Sequence, residues 1–209
     1  DIKAASENFQ KILDKEPENA AALAYMGKLA CEDQNYLRAA KFAQEALKYD
    51  ATNYDYWMDY GTYLRYQGKF DDAAKAWNKA VELDPTYFLA YAYLAGNYDD
   101  LGKWDLALEN YHKVIETNPK YFYAYESTAI LEYHAKNYEN AIKYFTKAYE
   151  YSSSYAYTLM IAACWFKLNK PLEAKKVLTA QLKKLDPNSN EYALVRFYND
   201  AYNRNAESN

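Results

Sequence analysis

Side chains that move protons, hold metals or attack electrophiles are few in this sequence, and they rarely stand in company. His112 and His134 lie 22 residues apart with no ligand spacing between them. A single imidazole on a helix is expected to be structural or solvated rather than an acid or a base. Two carboxylate pairs, Asp71-Asp72 and Asp99-Asp100, look like half of a metal site, but each falls at a helix end, where capping or solvation accounts for it. Cys31 and Cys164 form neither a redox pair nor a metal-ligand pair. Both are expected to be small buried apolar residues. The sequence contains no glycine-rich phosphate loop, no Gly-x-Ser-x-Gly and no His-Glu-x-x-His. The expectation is a non-catalytic protein with no cofactor and no metal site.

Bulk properties narrow the partner. A net charge of −4 and a pI near 5.3 argue against nucleic acid as the partner, because that partner needs a basic face to displace counterions. No apolar run approaches the roughly 18 residues that cross a membrane, so no transmembrane segment is expected. The chain begins at Asp1 with no initiator Met and no signal-peptide pattern, so an upstream stretch is expected to have been removed. Cytoplasmic and envelope-associated locations both stay open. The 26 tyrosines allow an aromatic binding surface. For any single tyrosine, helix–helix packing is the stronger expectation, since an aromatic stripe at helical spacing is usually core.

Five Gly and five Pro in 209 residues favour long helices over strands and tight turns. A shift of 34 residues superposes Gly61–Pro85 on Ala95–Pro119, with Lys69-Phe70-Asp71 falling on Lys103-Trp104-Asp105. The same step divides the chain into a half repeat at 1–19, repeats at 20–53, 54–87, 88–121, 122–154 and 155–187, and a capping helix at 189–204. The fourth place of the repeats holds Leu23, Trp57, Tyr91, Tyr125 and Thr158, large in all but the last. Four places on are Gly27, Gly61, Ala95, Ala129 and Ala162. The twentieth place is always alanine: Ala39, Ala73, Ala107, Ala141 and Ala174. Further on come Ala43, Trp77, Tyr111, Phe145 and Leu178, then Ala46, Ala80, Val114 and Ala148. Small residues let two helices approach, and a bulky one nearby fills the adjacent groove. Gly68 and Gly102 are placed to end a helix in the left-handed conformation. In the last helix, Leu194, Phe197, Tyr198 and Ala201 share a face expected to pack inward.

This pattern resembles the tetratricopeptide repeat family, carried by Trp57, Gly61, Ala73, Trp77, Ala80 and Pro85 and repeated by Tyr91, Ala95, Tyr98, Ala107, Tyr111 and Pro119. Ser153 in place of the terminal proline and Glu132 in place of an aromatic depart from it. The resemblance implies an all-α, right-handed superhelical solenoid of helix-turn-helix repeats with a C-terminal capping helix. It also implies a concave groove, lined by the first helix of each repeat, that holds a peptide or a helix of a partner protein.

Carried onto this chain, the groove-facing places include Met58, Asp55, Asp59, Arg65, Tyr66, Tyr93, Asp99, Asp100, Tyr123, Glu126, Tyr133 and His134. The Lys, Asn and Arg clamp by which chaperone-docking members hold a C-terminal carboxylate is not assembled, because Asp59, Tyr93, Tyr123 and Ser127 hold those places. An acidic, tyrosine-lined groove suits a partner segment with Lys or Arg and apolar anchors. The alternatives are an assembly subunit of a larger complex, such as one of the cell envelope, and a small-ligand or transport-associated binder. Both homo- and hetero-oligomers stay open.

Overall fold

Asparagine and serine cap several of the helix starts. The Asn19 side chain accepts from the Ala22 amide at 2.9 Å, Asn35 from Arg38 at 3.1 Å and Asn53 from Asp55 at 3.0 Å. Each bond satisfies a backbone donor that the first turn leaves open. The computed structural model describes residues 2–206, which form twelve α-helices and no strand. In chain order they are α1 (Ile2–Lys15), α2 (Ala20–Glu32), α3 (Tyr36–Tyr49), α4 (Tyr54–Tyr66), α5 (Phe70–Leu83) and α6 (Phe88–Asp100). They continue as α7 (Trp104–Thr117), α8 (Phe122–His134), α9 (Tyr138–Ser152), α10 (Tyr155–Lys167), α11 (Pro171–Leu182) and α12 (Asn190–Ala206).

The short turns between paired helices need one left-handed residue each. Gly68 (φ 76°) and Gly102 (φ 67°) adopt it as expected, and Gln34 (58°), Lys136 (63°) and Asn169 (56°) adopt it without being glycine. Between pairs, Asp50 accepts from the Thr52 amide and hydroxyl, and Asp84 does the same for Thr86. These bonds hold the Asp84 carboxyl below its ordinary range.

Packing follows the columns of small residues. Ala39, Ala73, Ala107, Ala141 and Ala174 are all fully buried. Gly61 on α4 lies against Trp77 on α5, a fully buried ring whose Nε1 donates to the Met58 carbonyl at 3.1 Å. Phe145 and Leu178 are likewise buried at the corresponding places of α9 and α11. Tyrosine serves largely as packing between successive pairs. Phe9 stacks on Tyr25 at 4.9 Å, Tyr36 on Tyr66 at 4.7 Å and Trp77 on Tyr93 at 5.4 Å, each joining a second helix to the next first helix.

The chain forms two compact units, residues 1–113 and 114–209, dividing within α7. In the first unit α2 to α6 pack in sequence, and α2 also meets α4. In the second, α8 to α12 pack in sequence, and α10 also meets α12.

Three expectations are corrected. Met58, placed on the groove face, lies in the core of the first unit at 6% exposure. Cys31 is only partly buried, whereas Cys164 is fully so. On α12 the inward residues are Val195, fully buried, and Tyr202, which stacks on Phe166. Leu194, Phe197 and Tyr198 are exposed instead. Two neighbouring stripes of this helix are apolar, so periodicity alone does not select between them.

Candidate functional site

The predicted groove residues divide between the units, and one cleft gathers four of them. It lies in the first unit, has a volume of about 460 Å³, and is lined by Thr62, Arg65 and Tyr66 of α4, Phe70 and Trp77 of α5, and Tyr93 and Asp100 of α6. The buried Trp77 ring, stacked on Tyr93, makes the floor, while Tyr66 and Tyr93 keep 57% and 40% of their surface exposed. Arg65 and Asp100 form an ion pair that links the C-terminal ends of α4 and α6. The Thr62 hydroxyl is engaged by its own helix, donating to the Met58 carbonyl at 2.9 Å. Aromatic faces and a carboxylate lining one cleft suit an apolar group or a cation.

The remaining predicted residues of this unit sit elsewhere on the same helices. Asp55 is exposed in the first turn of α4, where negative charge suits the helix dipole. Asp59, one turn on, is half-buried. Lys28 Nζ approaches its Oδ2 at 3.4 Å, yet that oxygen accepts no hydrogen bond. Burial pushes the Asp59 carboxyl above its ordinary range, and Lys28 opposes the shift. Asp99 is half-buried beside Asp100.

In the second unit the four predicted residues do not converge. Tyr123, 54% exposed, sits in the first turn of α8, where Phe122 packs on it. Tyr133 and His134 end the same helix, ten residues on, or about 15 Å along the axis. Tyr133 meets His134 and Tyr138 edge-on, at 5.9 Å and 5.4 Å. Glu126 is half-buried near Tyr157, whose hydroxyl is pushed up first by burial and then by this carboxylate.

Phe70 and Trp77 complete the first-unit cleft although their positions mark them as turn and packing residues. No feature of their type signals the second role. It arises because Trp77 spans the gap between α4 and α6 to reach Tyr93. Among the described residues, no three His, Cys, Asp or Glu side chains are grouped to hold a metal ion. No helix among them is long and apolar enough to cross a membrane. The sequence of the first unit carries 13 Lys and Arg against 19 Asp and Glu, and that of the second 12 against 10, so acidity is concentrated where the cleft lies.

Comparison with known proteins agrees with this architecture. Tetratricopeptide repeat family models match residues 54–87 and 94–157. Among solved structures, MamA is 27% identical, with 75% of this chain and 91% of that one covered and a TM-score of 0.71. YrrB, described as a TPR protein with an unusual peptide-binding site, is 16% identical, with 91% and 98% covered and a TM-score of 0.72. The pilF protein of Pseudomonas aeruginosa is 21% identical, with 94% and 90% covered and a TM-score of 0.70. No curated protein sequence matches the chain. With its paired helices, its columns of buried alanine and these matches, the chain carries tetratricopeptide repeats, whose helical arrays generally serve as non-catalytic protein-interaction modules.

Proposed function

We propose that this module binds a peptide or helix carrying Arg or Lys beside apolar anchors, and that the cleft of Arg65, Tyr66, Tyr93 and Asp100 receives one of the cations. The observation that carries this is the Arg65–Asp100 pair itself. It sets a guanidinium against a carboxylate in a cleft that tyrosine rings also line, and an incoming arginine reproduces that pair by taking Asp100 from Arg65. Phe70, half-buried at the cleft, receives the apolar part of the same segment, over the Trp77 ring that backs Tyr93. The excess of acidic residues in this unit draws a basic partner and repels an acidic one. The peptide-binding site described for YrrB is a precedent for the same use of a tetratricopeptide surface.

The test is fluorescence anisotropy with a fluorescein-labelled peptide bearing Arg and Leu at helical spacing, and a twin with Glu in place of Arg. The Arg peptide is expected to bind saturably and in preference to its twin. Asp100→Lys weakens it at least about tenfold, the scale of losing one charge-assisted bond. Arg65→Met tightens it severalfold, because Asp100 then has no internal partner to give up. Equal binding of both peptides, or indifference to Asp100→Lys, excludes the reading.

An assembly role draws on a different feature, the exposed Leu194, Phe197 and Tyr198 stripe of α12. Light scattering on the purified chain tests it. A concentration-dependent oligomer that Phe197→Glu disperses supports it, and a strict monomer does not.

A further inference from the structure

The last repeat departs from the others at two places that meet in space. Its fourth place holds Thr158 where Trp57, Tyr91 and Tyr125 bring rings. Its Gln181 stands where Ala46, Ala80, Val114 and Ala148 are small and apolar. Trp57 and Tyr91 each tether their ring to the loop before the helix, through the carbonyls of Ala51 and Pro85. With no ring at Thr158, a cleft of about 390 Å³ opens between α9 and α11, over α10. That volume is in the range of ligand sites, roughly 300–1,000 Å³.

Most of its lining is hydrocarbon and indole, from Ile142, Ile161, Trp165 and Val177. Apart from Thr146, the polar lining residues form one cluster. Gln181 and Thr158 are only 5% and 4% exposed. The Gln181 carbonyl accepts from the Tyr149 hydroxyl at 3.0 Å and from the Thr158 hydroxyl at 3.3 Å. Lys184 Nζ in turn donates to the Tyr149 hydroxyl at 3.0 Å and lies 5.2 Å over its ring. Lys147 and Lys176, on α9 and α11, each meet a carboxylate at 2.7 Å, from Glu150 and Glu173. The partner of Lys184 is a phenol, which orients the ammonium without neutralising it.

A buried amide and hydroxyl cost more to desolvate than the Ala or Val and the Leu or ring that the other repeats have at these places. Here they build a polar anchor for a cation at the end of an apolar trough. Ile142, Ile161, Val177 and Ala180 offer no hydrogen-bonding group to a peptide backbone, and the Thr146 hydroxyl is spent on the Ile142 carbonyl at 2.7 Å. A ligand that is hydrocarbon throughout except for one anionic end therefore fits better than a peptide.

We propose that the cleft between α9 and α11 is a second binding site, for an amphipathic carboxylate of the medium-chain fatty-acid class. Its acyl chain lies on Ile142, Ile161, Trp165 and Val177, and its carboxylate sits on Lys184. This site is independent of the basic-peptide reading of the first unit.

The test uses octanoate and octan-1-ol as probes on the whole chain, followed by amide chemical shifts and by Trp165 fluorescence. Saturable octanoate binding is expected, with shifts concentrated on α9, α10 and α11. Lys184→Met, which keeps the apolar stem, weakens octanoate roughly tenfold and leaves octan-1-ol unchanged. Thr158→Tyr supplies the ring of the other repeats and abolishes binding of both probes while the far-ultraviolet spectrum is unchanged. If that variant does not fold, the Lys184→Met comparison decides alone. No saturation by octanoate at millimolar concentrations, or equal effects of Lys184→Met on both probes, overturns the proposal, as does binding that only an acidic peptide achieves.

Discussion

Replacing Gly61 by alanine puts one methyl group into the closest contact between α4 and α5. The new Cβ would meet Trp77 Nε1 at 2.5 Å, Cδ1 at 2.7 Å and Cε2 at 2.9 Å. The indole has little room to retreat, because it is fully buried, hydrogen-bonded to the Met58 carbonyl and stacked on Tyr93. Overpacking of this kind costs about 1–3 kcal/mol, and contacts this short belong at the upper end. Alanine returns about 1 kcal/mol of helix propensity. The net expectation is a loss of about 2 kcal/mol, or a melting temperature lower by roughly 4–8 °C for a chain of this size. Gly96 is the control, since a Cβ there meets nothing within 4 Å, and Gly96→Ala is expected to gain about 1 kcal/mol. Gly27 falls between them, its Cβ 3.3 Å from the Ala39 carbonyl oxygen. Urea unfolding followed by far-ultraviolet circular dichroism ranks the three. If Gly61→Ala is as stable as the parent, the Trp77 contact does not set the spacing of α4 and α5, and the packing argument fails.

Three further outcomes are expected. The raised Asp59 carboxyl means that the folded chain binds this proton more tightly than the unfolded chain does. Asp59 therefore adds stability below the ordinary carboxylate range, and that contribution is lost as pH rises through the raised value. Asp59→Asn should flatten this slope in denaturant midpoints taken from acid to neutral pH, and at neutral pH change stability by less than about 1 kcal/mol; a larger loss there contradicts the assignment. Burial pushes the Cys164 thiol up to about 11, so at pH 8 about one in a thousand is thiolate. Mass spectrometry after alkylation should find Cys164 unmodified until the chain is unfolded, and rapid native labelling would show the site to be open. Lys136 adopts φ 63° at an exposed turn, so Lys136→Gly should stabilise by about 0.5–1 kcal/mol in the same unfolding assay, and destabilisation would mean that its side chain supports the turn.

Much of the architecture was legible because each repeat states the same packing problem again. An alanine in the twentieth place of all five repeats has few explanations other than a close helix approach, and all five are fully buried. The turns were only partly legible. Glycine announces a left-handed residue at 68 and 102, but Gln34, Lys136 and Asn169 reach the same conformation because the helices on either side demand it. The face of α12 was misread because Leu194, Phe197 and Tyr198 satisfy a helical period as well as Val195 and Tyr202 do. Only the shape presented by α10 and α11 chooses between the two stripes. The first-unit cleft was legible in its rim, Arg65, Tyr66, Tyr93 and Asp100, and not in its floor. A buried tryptophan that also lines a cleft looks the same in sequence as one that only fills a core.

A repeat protein supplies its own reference for deciding which departures matter. Ser153 replaces a proline but occurs in a left-handed turn that ends α9, and the exchange of one chain-reversing device for another needs no ligand. Glu132 replaces an aromatic and is buried, yet its two oxygens are met by the side-chain amides of Asn137 and Asn140 at 2.9 Å and 3.2 Å, so its local chemistry is closed. Thr158 and Gln181 differ from both. Their hydroxyl and carbonyl satisfy each other, but the exchange of a ring for a hydroxyl leaves open space, and Lys184 brings an unneutralised charge to its edge. Volume lost without refilling, together with a charge oriented without being paired, separates a site from a repaired substitution. Of these three departures, only the last repeat's has both properties.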